Sequence, residues 1–233
     1  MTAEELDSRF QIILDKVGSP YLTDTERSSL YNMAQLSVLD DYVYNRKNKL
    51  KKNKDAEPPY GYENTNLNVE AVSVLIVELS GVLTSDANGK IQKADIDTQI
   101  NVASGKNTGL YHVANMARQS TDTNYYVSRF VRLNDLYPHL ANSFKAPTES
   151  NPSYTEYDSY YVSYPLAAVS VNTTVLRYPE EILVDDTTPA NNVDPEFSDK
   201  VTNEIILRAL QLAGVSIREA EFYGMVNAEY TKD

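Results

Sequence analysis

Apolar residues recur at helical spacing near both ends of the chain and at alternate positions between them. Near the start, Leu6, Phe10, Ile13, Leu14 and Val17 form one stripe, the mark of an amphipathic helix. Thr2 and Glu5 are spaced as a capping box, each side chain serving an orphan amide of the first turn. Gly18-Ser19-Pro20 supplies the stop, because glycine accepts a left-handed cap and proline cannot continue a helix. A second box, Thr23 with Glu26, opens a helix expected to run to about Tyr44. Leu30, Met33, Ala34 and Val38 share one of its faces, and Leu36, Leu39 and Val43 mark another. Two apolar faces point to burial in a bundle or against a neighbouring subunit.

The middle of the chain changes period. Asn66–Leu79 carries a helical stripe at Leu67, Ala71, Val74, Leu75 and Leu79 and is too long for an ordinary strand, so its spacing predicts a helix despite the valines. Asp86-Ala87-Asn88-Gly89-Lys90 reads as a tight turn of the hairpin kind. From Tyr111 the alternation is twofold: Tyr125, Val127, Arg129, Val131 and Leu133, then Tyr160, Val162 and Tyr164, then Ala167 to Val175. Pro138, Pro147 and Pro152 mark loops between these runs. Glu180–Asp199 holds seven acids and no cation, and reads as a solvated acidic loop. A last helix follows, with Ile205, Ile206, Ala209, Leu212 and Ala213 on its apolar face and Gly214 weakening it.

These patterns predict an α+β fold, a helical bundle from the N- and C-terminal helices with an inserted antiparallel β-sheet or small β-sandwich. The expected segments are N-terminal helices at 1–55, a variable helix and hairpin region at 56–110, a β-rich insertion at 111–179, and the acidic loop with its helix at 180–233. Together they form one structural unit with an inserted β region.

Charge and composition narrow the function. With 21 Lys+Arg against 33 Asp+Glu the net charge is −12, which argues against binding along a DNA backbone. Arg46–Lys54 concentrates six cations in nine residues, as a solvated loop or as a patch for nucleic acid or an acidic partner. The absence of cysteine excludes disulfides and thiol chemistry. The polar, acidic Met1–Asp7 has no signal-peptide pattern, and the longest apolar run, Val72–Leu79, is short of a membrane span, so a soluble chain made in a reducing cytoplasm is expected. Tyrosine is abundant, 18 residues against no tryptophan, which suits interfaces and half-buried sheet faces.

Candidate chemistry is sparse. His112 and His139 stand apart, read as a strand and a loop histidine, with no nucleophile elbow to complete a triad. Gly105-Lys106-Asn107-Thr108 lacks the glycines and hydroxyl placement of a phosphate loop. Thr84–Asp95 approximates a calcium loop, but Thr84 replaces the first aspartate, Asp95 the last glutamate, and Lys90 and Lys93 oppose a cation. The sequon at Asn172 has no secretion signal beside it, and Asp185-Asp186 reads as solvated. No catalytic residue, cofactor or metal is expected, and the chain is not expected to be an enzyme.

Several short motifs taken together resemble the connector proteins of short-tailed bacteriophages, most closely those of crAss-like phages. They are Phe10-Gln11 with Leu14-Asp15-Lys16-Val17-Gly18-Ser19-Pro20-Tyr21, Thr23-Asp24-x-Glu26, and Asn32-x-Ala34-Gln35. Further on stand Val131-Arg132-x-Asn134-Asp135-x-Tyr137, Asn142-x-Phe144-Lys145-x-Pro147, Pro152-x-Tyr154 and Val175-Leu176-Arg177-Tyr178-Pro179. The similarity spans most of the chain and is weakest over Ala56–Gln119.

That resemblance implies a virion structural protein of the neck and tail region, made in the bacterial host cytoplasm. It would assemble as a ring, commonly of twelve copies, below the portal protein. Its partners would be copies of itself, the portal, tail or other ring proteins, and genomic DNA passing through the channel without specific binding, with no membrane. The interface candidates are Arg132, Asn134, Asp135, Arg177 and Tyr178, with Phe222, Tyr223 and Tyr230 for docking on the portal or packing in the bundle. Arg132 or Arg177 would pair with an acid of the next subunit or, equally, within its own chain. A receptor- or glycan-binding virion module, suggested by the tyrosines of Tyr154–Tyr164, is the alternative, with another capsid- or tail-associated structural role beside it. A glycosidase using paired carboxylates ranks last.

Overall fold

The structure, a computed structural model, describes residues 1–17, 22–45, 72–142 and 144–214. The proposed stop Gly18–Pro20, the basic run Arg46–Lys54, Asn66–Ala71 and the aromatic residues Phe222, Tyr223 and Tyr230 lie outside them. The fold is α+β and divides into two units, one formed by residues 1–74 and 181–233, the other by the continuous segment 75–180.

The first unit is helical. Helix α1 spans Ala3–Val17 and α2 spans Asp24–Asp40, with a π-helical turn at Asp41–Asn45. Both capping boxes form: Glu5 N–H donates to Thr2 Oγ1 at 3.2 Å and Thr2 N–H to Glu5 at 3.0 Å, while Thr23 and Glu26 reciprocate in the same way. From α1, Leu6, Phe10 and Leu14 are buried, and Phe10 meets Tyr31 of α2 edge to face at 5.1 Å. On α2, Ala34, Val38 and Leu39 face inward, whereas Met33 and Leu36 are exposed.

The beginning of the acidic segment is not a solvated loop, although 186–191 are exposed. Ile182 and Val184 are buried, and the backbone of Ile182–Asp186 is tied to one face of α2. Asn32 Oδ1 accepts from Ile182 N–H at 2.8 Å, Ser28 Oγ from Val184 N–H at 3.0 Å, and Asp24 Oδ2 from Asp186 N–H at 2.9 Å. Partners four apart on a helix rise about 6.0 Å and alternate residues of an extended chain about 6.6 Å, so the two repeats match closely enough for a ladder. Helix α5, Asp199–Leu212, packs on α1 and α2. It buries Val201, Ile205, Ile206, Ala209 and Leu210, while Leu212 is exposed. Gly214, at φ +81°, lies past the helix end rather than within it.

The second unit carries two four-stranded sheets. Strands are β1 (Ile76–Thr84), β2 (Lys90–Gln92), β3 (Leu110–Gln119), β4 (Tyr125–Val127), β5 (Arg129–Phe130), β6 (Ser153–Glu156), β7 (Tyr160–Tyr164) and β8 (Ser170–Arg177). Helix α3 covers Lys93–Ser104 and α4 covers Leu133–Ala141. One sheet runs β1-β8-β3-β4, all antiparallel; the other runs β2-β7-β6-β5, parallel only at β5–β6. Leu79 and Leu83 of β1, Val113 and Met116 of β3, and Tyr154 and Tyr161 of the second sheet share one core.

Three expectations are corrected here. Ile76–Leu79 is strand, preceded by a 3-10 turn at Ser73–Leu75, because a spacing of four places Leu75, Leu79 and Leu83 together in either conformation. The turn at Asp86–Lys90 forms, but it links β1 to β2 of different sheets rather than closing a hairpin. Pro138 lies inside α4, and His139 is therefore helical, not a loop residue.

Candidate interaction surface

The motif residues Arg132, Asn134 and Asp135 converge on the first turn of α4. Val131 is fixed to the second sheet by its N–H to Tyr154 O at 2.9 Å and by Thr155 Oγ1 donating to its carbonyl at 3.1 Å. Arg132 then takes the N-cap position with extended backbone, and Asp135 N–H closes the turn on Arg132 O at 2.9 Å. An acid in the first turn meets the positive end of the helix.

The helix has a buried and an open side. Leu136 faces inward at 8% exposure, whereas Leu133, Tyr137 and Leu140 stand at 52, 82 and 36%. Their i, i+4, i+7 spacing makes them one stripe. Phe130, just before the helix, is 46% exposed even though its ring contacts Tyr154 at 5.4 Å. Phe144, just after, is 97% exposed, presented by a turn in which Asn142 Oδ1 accepts its N–H at 2.9 Å. This is an apolar stripe along a short helix with an exposed aromatic on either flank, and such groupings mark contact surfaces more often than isolated exposed residues do.

Its cations outnumber its one exposed acid, Asp135. Arg129, Arg132 and Lys145 are exposed and make no ion pair or side-chain hydrogen bond among the described residues. Burial lowers the His139 imidazole from its ordinary value, and Arg129 and Lys145 lower it further. The field at the end of α4 is therefore cationic within a chain that is acidic as a whole.

Arg177 and Tyr178 lie elsewhere, at the end of β8 in the other sheet. Arg177 is 4% exposed, with Nη1 donating to Tyr178 O at 3.1 Å, so its guanidinium is buried within the chain. Tyr178 crosses Tyr111 edge to face at 5.2 Å. The structure thus gathers Arg132, Asn134 and Asp135 into one turn and leaves Arg177 and Tyr178 as a separate end of the first sheet.

A second aromatic surface belongs to the β2–β7 edge. Tyr157 and Tyr160 stack at 4.8 Å, Lys90 lies over Tyr160 at 4.9 Å, and Lys93 lies over Tyr161 while pairing with Glu156 at 2.7 Å. Burial and the neighbouring Tyr157 push the Tyr164 hydroxyl up to about 12.

The other candidate groups are committed to structure. Asp86 Oδ1 accepts from the N–H groups of Asn88 and Lys90, both at 2.8 Å, and Asp95 lies in α3, so the calcium-loop spacing is spent on a turn and a helix start. Lys106 pairs with Glu180, and Gly105 is the left-handed cap of α3. Asp185 is held below the usual carboxylate range by the Asn191 amide and by the backbone of Thr188 and Thr187. Among the described residues no cluster of His, Asp and Glu could hold a metal, and no helix is long and apolar enough to cross a membrane.

Sequence reasoning missed the strip itself. The signal was present in Leu133, Tyr137 and Leu140 at helical spacing, but reading Pro138 as a loop marker removed the helix that gives the spacing meaning. No protein-family model matches the chain, and no curated protein matches it.

Proposed function

We propose that the chain is a non-enzymatic structural subunit of a phage virion, a head-to-tail connector that assembles as a ring below the portal and joins it to the tail. The reading rests on the resemblance of its short motifs to connectors of crAss-like phages. The observation that carries it furthest is architectural: residues from both ends of the chain build the helical unit, and one continuous segment between them builds the β unit. A connector of the family it resembles would carry helices near both termini around a β-rich insertion, which is this arrangement. The work such a protein does is geometric, repeating one contact around an axis until it closes. An acidic lining would keep the packaged polyanion from adhering as it passes.

The test is mass measurement and two-dimensional imaging of the purified chain, alone and with portal. Closed particles with a central hole support the proposal; a chain that stays monomeric even on portal rejects it. The stacked Tyr157 and Tyr160 beside Lys90 favour one second reading, a receptor- or glycan-binding virion module. Glycan-array binding without particle formation would favour that module instead.

A further inference from the structure

We infer that the apolar strip of α4 is a docking surface for a second copy of this chain, engaged head to tail through that copy's acidic face. The inference rests on the reading of the chain as a self-assembling subunit, and names the surface that reading leaves open.

Three observations lead there. The strip is apolar and large for a helix of nine residues: Leu133, Tyr137 and Leu140 along it, Phe130 and Phe144 at its ends. Its rim is net cationic: Arg129, Arg132 and Lys145 are exposed with no ion pair among the described residues, against one exposed acid, Asp135. The chain as a whole has the opposite sign, net −12, and its longest acidic stretch, Glu180–Asp199, contains no cation at all. Within that stretch Leu183 is 42% exposed, next to the exposed Glu181 and close in sequence to Asp185 and Asp186. An apolar centre with a net basic rim therefore exists in one unit of the chain, and an exposed apolar side chain two residues from the exposed Glu181 exists in the other.

Charge also decides the symmetry. A two-fold contact would set the strip against itself and bring two rims of three cations and one acid together, a net like charge across a partly dried surface. That arrangement is disfavoured by both repulsion and desolvation. The strip consequently prefers a different patch on the second copy, and a contact between unlike patches propagates, closing into a ring or running on as a filament. The eight side chains named are fewer than the roughly 20–30 residues per side of a standard interface, so they form the anchor of a larger contact. The exposed tyrosine and the arginine are the residue types that dominate such anchors.

The experiment is light-scattering mass of the full chain across protein and salt concentration. Wild type should exceed the monomer mass, and added salt should weaken the association because the rim charges are exposed. Tyr137→Glu and Arg132→Glu should each weaken association by about tenfold or more. Both sites are exposed, so the urea midpoint and circular dichroism should not move, which separates lost docking from lost folding. The double variant Arg132→Glu with Glu181→Lys, which exchanges the two charges, should recover most of the loss. An assembly unchanged by Tyr137→Glu and Arg132→Glu would overturn the surface while leaving the ring reading intact. A wild-type monomer at every concentration up to its solubility limit would overturn self-docking through this strip, whatever other partner then proved to bind it; the ring reading would stand or fall separately, on portal.

Discussion

Arg27 is the most consequential charge in the helical unit, and its replacement by Met should cost about 3 kcal/mol. The guanidinium is 2% exposed and lies between three carboxylates. Nη2 donates to Asp186 at 2.6 Å and to Asp24 at 3.1 Å, and Nη1 donates to Leu22 O at 2.9 Å. Nε approaches Asp7 Oδ1 at 2.9 Å without the alignment of a hydrogen bond, so that contact is ionic. Burial works against the charge, but Asp186, Asp7 and Asp24 outweigh it and hold Arg27 above its ordinary value. Asp24 and Asp186 are 31 and 56% exposed, and water replaces the arginine there at little cost. Asp7 is the expensive partner at 4% exposure. It keeps donors in Tyr31 at 2.7 Å and Gln11 at 2.6 Å, which places the loss at the low end of the roughly 3–5 kcal/mol for breaking a buried pair. With a urea slope of about 1–3 kcal/mol per molar, the midpoint of the helical signal should fall by about 1–3 M. Adding Asp7→Leu should recover more than about 1 kcal/mol, because the stranded charge leaves with its partner. A loss below about 1 kcal/mol for Arg27→Met, or no recovery in the double variant, would refute the reasoning and reduce the network to a screened surface pair.

Other outcomes follow from single positions. Gly89→Ala should destabilise the β unit by about 2 kcal/mol or more, since Gly89 sits at φ +70° and an added Cβ would lie 2.3 Å from Ser163 O; an unchanged thermal midpoint would contradict this. Arg118 is 2% exposed with Nε and Nη1 lacking any hydrogen-bond partner, and burial lowers its affinity for a proton despite the attraction of Glu149. Arg118→Met should therefore be neutral or stabilising by about 1–3 kcal/mol, and a drop in urea midpoint would show that the guanidinium is paired after all. His139 is a base with a lowered folded value, so the unfolded chain binds the extra proton first. Its contribution is complete above about pH 6.5 and is lost as pH falls below that towards the folded value. Wild type minus His139→Gln should show this loss on acidification, and a flat difference would count against the burial and the Arg129 and Lys145 field.

The helical ends were legible because their signals are local. A capping box needs only two residues three apart, and both Thr2–Glu5 and Thr23–Glu26 form as the spacing requires. Periodicity failed where two conformations place the same residues together. Leu79 and Leu83 face one side of a helix or of a strand alike, and the strand wins here through pairing with Thr173 and Val171 of a segment some ninety residues away. The bulge at Gly81, φ +71°, with its N–H donating to Asn172 at 2.8 Å, is likewise fixed by that distant strand. Helix α3 buries only Ile96 and Ile100, too thin a stripe to stand out among polar neighbours.

The acidic segment and α4 show the same limit from opposite sides. Composition labelled Glu180–Asp199 as solvated, yet alternation of Ile182 and Val184 against Asn32, Ser28 and Asp24 makes its beginning part of the helical unit. Its carboxylates are then divided in role: Asp186 is drawn to Arg27, Asp185 to the amides of Thr187 and Thr188, and Glu181 is left exposed. In α4, Pro138 removes the N–H that would reach the Asn134 carbonyl, but a nine-residue helix tied to β6 through Val131, with Leu136 buried, tolerates that loss. What tethers each segment is on its inner side, and what the sequence makes conspicuous, the acids of one and the aromatics of the other, is what remains outside. Opposite charge on two outer surfaces of one chain has a consequence that neither has alone. If copies dock as proposed, each presents both halves of a contact, and association would leave an unmatched half at each end until the chain of copies closes on itself.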